Sequence, residues 1–200
     1  MTAALQFADP HLLRRHDLTV DDLVDLPEDL RYELIDGRLV LTPHGNPTHQ
    51  FISKKVGDAI EENCPEEFVL NIEQAVLIGP GTELRPDVVL IREEGAGPSP
   101  VQAADVLLVV EVISPSSRIS DRLDKSKRYS DAGIPAYWIL DPLAAVITLT
   151  QLSLGRDGTY VQQLQTDALV TIGQPWEITL DLPAWTRRRD RIRKNDRRNR

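Results

Sequence analysis

The segment RPDVVLIREEGAGPSPVQAADVLLVVEVI, residues 85–113, decides the fold of this 200-residue chain. It contains two runs of β-branched and other apolar residues, 86–91 and 106–113. Between them, residues 92–100 form a loop by their Gly, Pro and Ser content. Nearly continuous apolar runs of this length are typical of strands that are buried on both faces of a sheet. The segment therefore predicts the centre of the sheet of an α/β domain.

Each of the two predicted strands contains an acidic residue that burial alone disfavours. Asp87 begins the first strand, and Glu111 lies inside the second. A buried carboxylate is costly, or its pKa rises, unless a cation or strong donors compensate. If the strands are neighbours, the two carboxylates meet at one end of the sheet, where a divalent cation with oxygen ligands would offset their repulsion. The alternative is structural: Asp87 takes a turn position after Pro86, and Glu111 pairs with an arginine.

A positive charge near these acids must come from another element. Ile113 shares a strand face with Glu111 but cannot supply a charge. The next predicted helix, 120–132, contains Lys125, which could reach the acids. Two alternatives remain open, because Lys127 fits equally well by composition and a lysine on a polar helix is usually solvated.

The rest of the chain predicts further strands and helices around this centre. Asp36-Gly37 separates two strand-like runs, and this dipeptide is favoured in hairpin turns whose central residues both have positive φ. The other predicted elements are a capped helix from Thr19 that ends at Pro27, a hairpin at 31–41, an amphipathic helix at 47–63, strands at 67–78 and 137–140, and an antiparallel C-terminal extension at 145–152, 159–165 and 176–180.

Composition and length indicate one folded domain. Apolar residues make up 41% and charged residues 27%, as is usual for globular proteins. We expect residues 1–186 to form this domain and residues 187–200 to be a basic, disordered tail, or else the end of a final helix. The tail has nine Lys or Arg against two Asp, a charge of +7, which leaves −15 for the rest of a chain with net charge −8. Affinity for nucleic acid therefore cannot come from a generally basic surface, and phosphate contact by the tail is a further alternative.

Cysteine content and hydropathy limit the cellular location. The single cysteine, Cys64, excludes an intramolecular disulfide and a zinc site built from cysteines. No apolar run approaches the roughly 18 residues of a membrane span, and the first residues lack the pattern of an export signal. We therefore expect a cytoplasmic protein that does not associate with membranes.

Six motifs in one order resemble those of a large bacterial family of "putative restriction endonucleases", which is assigned to the PD-(D/E)XK nuclease superfamily. The resemblance extends over roughly residues 20–185. The motifs are YELIDG at 32–37, His49 at the start of a helix, RPDVVLI at 85–91, VVEVISPSS at 109–117, DRLDK at 121–125, and YSDAGIPAYWILDP at 129–142.

The resemblance implies a restriction-endonuclease-like fold and a metal-dependent endonuclease that hydrolyses phosphodiester bonds in DNA. Asp87 and Glu111 match the metal-binding acids, to which the Val112 carbonyl would add a third ligand. Glu33 matches an early acid of the family, and Lys125 matches the lysine that the family has displaced to the following helix. The implied cofactor is Mg²⁺, with Mn²⁺ able to substitute, and a homodimer would suit cleavage of both strands.

Two other functions fit the same residues. A nuclease-like fold could serve as a non-catalytic module that binds nucleic acid or protein, which the acidic body favours. The chain could also hydrolyse a small phosphate ester. His49 is equally open, because a histidine at a helix start could take part in chemistry or simply contact the hairpin.

Overall fold

The computed structural model describes residues 11–27, 30–43, 45–115 and 119–198, and the side chains of all of these except 119–122 and 196–198. The α-helices are α1 (Pro47–Glu61), α2 (Ile119–Asp131) and α3 (Leu182–Arg198). The strands are β1 (Tyr32–Ile35), β2 (Arg38–Leu41), β3 (Phe68–Ile72), β4 (Val76–Gly79), β5 (Thr82–Leu84), β6 (Val88–Arg92), β7 (Val101–Gln102), β8 (Val106–Val112), β9 (Ala136–Asp141), β10 (Thr148–Leu154), β11 (Tyr160–Thr166), β12 (Leu169–Ile172) and β13 (Ile178–Asp181). Short 3-10 helices cover Leu12–Arg14, Val20–Leu23, Glu93–Gly95 and Ala103–Asp105.

The main sheet has six strands in the order β11-β10-β9-β8-β6-β3. Its strands pair antiparallel except for β8 and β9, which are parallel. A smaller sheet has the order β2-β1-β5-β4-β7, and β12 pairs with β13 in a separate hairpin. The predicted mixed α/β architecture is therefore confirmed, with β8 in the middle of the sheet and β6 between β8 and the edge strand β3.

Both faces of the main sheet are covered, which explains the continuous apolar runs of its central strands. Val88 and Leu90 face α1, α3 and the β12-β13 hairpin. Val89 and Ile91 point the other way, toward α2 and the smaller sheet. Tyr137 and Trp138 of β9 are fully buried and pack in the core on opposite faces of this sheet.

The predicted hairpin at 31–41 is confirmed, and its turn depends on one glycine. Asp36 and Gly37 have φ values of 50° and 74°. Both are in the left-handed region, as the Asp-Gly dipeptide favours. A Cβ atom on Gly37 would also lie 2.7 Å from the backbone oxygen of His16. Neither the backbone conformation nor the available space therefore suits any residue but glycine at this position.

Two predictions about strands need correction. The single strand predicted at 67–78 is wrong, because β3 belongs to the main sheet and β4 to the smaller one. The chain turns between them at Glu73, whose φ is 55°. Glu73 also forms an ion pair with Arg31. The predicted C-terminal extension is confirmed for β10 and β11, whereas β13 pairs with β12, a strand that the sequence did not indicate.

Of the two alternatives for the basic tail, the structure has the end of a final helix, since residues 187–198 continue α3. Its anchor is Arg189, which is only 3% exposed. The Arg189 guanidinium donates to the carbonyls of Pro142, Ala144 and Ala145 at 2.9, 2.7 and 2.8 Å. A charged donor with three backbone acceptors holds the helix against the loop after β9. None of the described helices has the length and hydropathy to span a membrane.

Candidate active site

The register of β6 and β8 places Asp87 and Glu111 opposite each other. Val88 pairs with Val110 in this antiparallel ladder, so the residue before Val88 faces the residue after Val110. The ladder ends at this pair, and Asp87 is the bend residue just before β6, so the two acids lie beside each other where the strand pair ends. The two side chains are 12% and 16% exposed. The structure thus brings the two predicted acids together at one end of the sheet.

Asp87 is held by a backbone donor and lies against a histidine. Its Oδ2 atom accepts from the Val112 amide at 2.7 Å and lies 3.2 Å from His49 Nε2. His49 is in the first turn of α1, where the capping side chain of Asn46 accepts from the His49 amide at 3.0 Å. Gly45 leaves room for the imidazole, since a Cβ atom there would lie 2.6 Å from His49 Nδ1. The helix start therefore positions His49 directly beside Asp87.

Lys125 lies between Glu111 and Glu33. Its Nζ atom is 2.8 Å from Glu33 Oε1 and 3.0 Å from Glu111 Oε1. Glu33 Oε1 also accepts from the Arg85 amide at 3.1 Å, and Tyr129 donates to Glu111 Oε1 at 2.8 Å. Lys125 and Tyr129 are four residues apart on α2, so both reach the same carboxylate oxygen. One ammonium therefore connects the early acid on β1 with the central acid on β8.

The electrostatics of the site follow from burying charges of both signs. Burial raises the pKa of Glu111 to about 7, with Asp87 and Glu33 adding to the rise and Lys125 opposing it. Burial alone would lower the pKa of Lys125, but Glu111 and Glu33 outweigh it and raise that pKa above its ordinary value. Burial would likewise lower the pKa of His49. The hydrogen bond and the charge of Asp87 raise this pKa above its ordinary value instead, and Glu111 and the Val112 carbonyl add to the rise. Lys125 is thus a cation at neutral pH.

The structure separates the two lysines that the sequence left open. Lys127 is 74% exposed and pairs with Asp131 at 2.7 Å, four residues further along α2. Lys125 is 21% exposed and lines the cleft with the acids. Of the two lysines, Lys125 is on the side of α2 that faces β8. Lys127 is a solvated surface residue.

The acids lie in a cleft of about 740 Å³ whose walls include three arginines. Each arginine forms an ion pair. For Arg31 and Arg128 the acid is distant in sequence, and for Arg85 it is two residues earlier. The pairs are Arg31 with Glu73, Arg85 with Glu83 at 2.9 Å, and Arg128 with Asp36 at 2.6 Å. The sequence did not indicate these arginines, because nothing in their spacing distinguishes them from surface residues.

The donor set fits a magnesium ion bound by few protein ligands. No group of three or more His, Cys, Asp or Glu side chains within the described ranges is spaced to hold a metal. Mg²⁺ usually needs only one or two carboxylates and keeps several waters. The carboxylates of Asp87 and Glu111 and the backbone of Val112 line one cleft, so the two acids with the Val112 carbonyl suit this requirement. Glu33 belongs to β1 in the smaller sheet and meets Glu111 through the Lys125 ammonium, so Glu33 is placed as a partner of the lysine rather than as a direct ligand.

A solved structure defines the class of fold. The crystal structure of a "putative nuclease belonging to DUF820 from Anabaena variabilis ATCC 29413" superposes with a TM-score of 0.65. The superposition covers 84% of this chain and 99% of that chain, at 16% sequence identity. The predicted restriction-endonuclease-like fold is thereby confirmed.

The family follows from the sequence as a whole. A family model described as "Putative restriction endonuclease" matches residues 20–188, and the chain belongs to this family, Uma2. The resemblance noted from the six motifs is therefore confirmed. A comparison with curated proteins finds no significant match.

Proposed function

We propose that this protein is a magnesium-dependent endonuclease that hydrolyses phosphodiester bonds in DNA. The observation that carries the proposal is the pair of opposed acids, Asp87 and Glu111, in a cleft, with the Lys125 ammonium against Glu111. The family description and the nuclease fold support the reaction class. DNA as substrate is supported by the family description alone.

In the proposed site, Asp87, Glu111 and the Val112 carbonyl would hold Mg²⁺. When bound, such an ion lowers the pKa of a water ligand and neutralises charge on phosphate oxygens. Lys125 would donate to the attacking water or to a phosphate oxygen and stabilise the charge that develops there. Its contact with Glu111 keeps the ammonium next to the metal ligands.

The remaining polar residues would act through these groups. Glu33 holds the Lys125 ammonium together with Glu111 and is therefore a positioning residue. Tyr129 fixes one oxygen of Glu111. His49 orients the Asp87 carboxylate, whose Oδ2 atom also accepts from the Val112 amide. Cleavage of both strands of a duplex would need two clefts, so the proposal includes a homodimer, acting in the cytoplasm.

The test measures cleavage of plasmid DNA, single-stranded DNA, RNA and a small model phosphodiester, with Mg²⁺, with Mn²⁺ and with a chelator. We expect DNA cleavage with either metal and none with the chelator. Asp87→Asn and Glu111→Gln should lower the rate to that of the chelator control, and Lys125→Met should lower it roughly 100-fold or more.

Two matched variants serve as controls. Lys127→Met removes an exposed lysine from the same helix, and Asp167→Asn removes an exposed carboxylate between β11 and β12. Both should cleave like the wild type. Equal cleavage by Asp87→Asn and the wild type would contradict the proposed site. Binding of DNA without cleavage would favour the non-catalytic module, and cleavage of the model diester alone would favour a small phosphate ester as substrate.

A further inference from the structure

From position 187 onward, α3 carries a group of exposed cations. Arg187, Arg188, Arg191 and Lys194 are exposed, and none has an ion-pair partner in the part of the chain that the structure describes. Positions 187, 191 and 194 recur at the i, i+4 and i+7 spacing, so they form a stripe along one side of the helix. The nearby Asp190 is already paired with Arg189. We call the four cations the α3 basic surface.

The α3 basic surface is held in a defined orientation. Arg189 inserts beneath it and donates to three carbonyls of the loop 142–145. Arg193 adds a fourth bond of this kind, to the Pro142 carbonyl at 3.0 Å. Buried hydrogen bonds from an arginine fork allow little rotation of the helix about its axis. The exposed cations are therefore presented together from a fixed support.

The topology places this support at the same end of the main sheet as the acids. β8 and β9 are parallel, with Val112 opposite Leu140, so the chain after β9 leaves the sheet beside the end of β8 that carries Glu111. The loop 142–145, which anchors α3, follows directly. From position 187 to position 194 the helix rises about 10 Å, similar to the axial rise of about three nucleotides.

We propose that the α3 basic surface contacts the sugar-phosphate backbone of the nucleic acid whose phosphodiester bond enters the cleft. The inference rests on the proposed function for its partner. Residues 1–186 carry a formal charge of −15, so a polyanion is repelled by most of the molecule and attracted where unpaired cations are concentrated. Phosphate contacts of this kind position a duplex without reading its sequence.

The experiment compares two double variants that remove the same charge. Arg187→Gln/Arg191→Gln removes two cations of the surface, and glutamine is a good helix former. Arg92→Gln/Arg156→Gln is the control; both arginines are exposed, at the end of β6 and in the β10-β11 turn, away from the acids. Binding of a labelled DNA duplex to the full chain is measured by fluorescence anisotropy, in chelator, over a range of salt concentrations.

We expect the α3 variant to bind roughly 10-fold more weakly than the wild type at low salt. Its slope of log affinity against log salt should be shallower by about 2, close to 0.9 for each lost phosphate contact. The control variant should match the wild type in both quantities. Circular dichroism and thermal unfolding check that both variants fold.

Several results would overturn the inference: an equal loss of affinity in both double variants, an unchanged salt slope in the α3 variant, or no measurable binding of DNA by the wild type. The proposed function fails separately. If the wild type binds DNA through α3 but does not cleave it with Mg²⁺, the proposed DNA contact of the α3 basic surface is supported and the proposed nuclease activity is rejected. If the α3 variant cleaves and binds like the wild type, only the basic surface is rejected.

Discussion

In the candidate site, one carboxylate oxygen accepts hydrogen bonds from two side chains of α2. Glu111 Oε1 accepts from the Lys125 ammonium and from the Tyr129 hydroxyl, both on α2. Two donors from one rigid helix restrict the rotation of a carboxylate more than a single donor on a loop would. The site therefore depends on the docking of α2 as well as on the acids themselves.

Tyr129→Phe tests this dependence. The substitution keeps the ring that packs edge-on against Tyr137 and removes only the donor to Glu111. We expect a loss of about 1 kcal/mol in the free energy of unfolding. We also expect a fall in kcat with little change in KM, because the affected group is a proposed metal ligand. Urea unfolding and steady-state cleavage kinetics measure the two effects.

Tyr160→Phe is a matched control for that prediction. Tyr160 also contacts Tyr137 and donates to the Ile134 carbonyl at 2.9 Å, but it does not line the cleft. It should lose similar stability and retain full kcat. If both variants lowered kcat equally, the effect of Tyr129→Phe would be one of general packing.

At the scale of elements, α3 shows how one buried charge can order a polar segment. From position 187 onward its composition is that of a solvated tail. Arg189 nevertheless donates to three carbonyls of the loop 142–145, which would otherwise need water as a hydrogen-bond partner. Thr186 contributes from the same turn, since its hydroxyl oxygen accepts from the Ile147 amide at 2.9 Å. The helix and the loop 142–145 therefore order each other.

Arg189→Met should lower the free energy of unfolding by about 2 to 4 kcal/mol, because it removes a charged donor and leaves the carbonyls of the loop unpaired. Arg188→Met, one position away but exposed, should change it by less than about 0.5 kcal/mol. Urea denaturation of both variants measures the difference. Equal stability of the two would contradict the anchoring role of Arg189.

At the scale of the whole molecule, a bound metal should be visible in global stability. An ion that binds the native state alone stabilises it by RT ln(1 + [L]/Kd), or about 2.7 kcal/mol at 100 times Kd. We expect Mg²⁺ to raise the unfolding temperature of the wild type, relative to sodium chloride of equal ionic strength. Asp87→Asn/Glu111→Gln should show no such rise. A rise of equal size in this double variant would place the binding elsewhere on the acidic surface.

Local properties of the sequence were enough to predict much of the architecture. The apolar runs at 86–91 and 106–113, the Asp36-Gly37 turn and the amphipathic pattern of α1 each depend on neighbouring residues, as hydrophobic periodicity and turn conformation do. The prediction of one strand at 67–78 was wrong because its outcome depended on residues distant in sequence. The bend at Glu73 separates two sheets, and its partner Arg31 is 42 positions away.

The sequence by itself determined that Asp87 and Glu111, each in an apolar run, required a partner, since burial of an unpaired carboxylate is costly wherever the run lies. Only the tertiary structure decided which groups meet them. The β6-β8 register sets the two acids opposite each other, and Lys125 bonds to Glu33 from 92 positions away. It also decided that residues 187–198 are helical, through Arg189 and carbonyls at least 44 positions earlier. These contacts depend on how elements pack across the fold, which no local pattern of residues specifies.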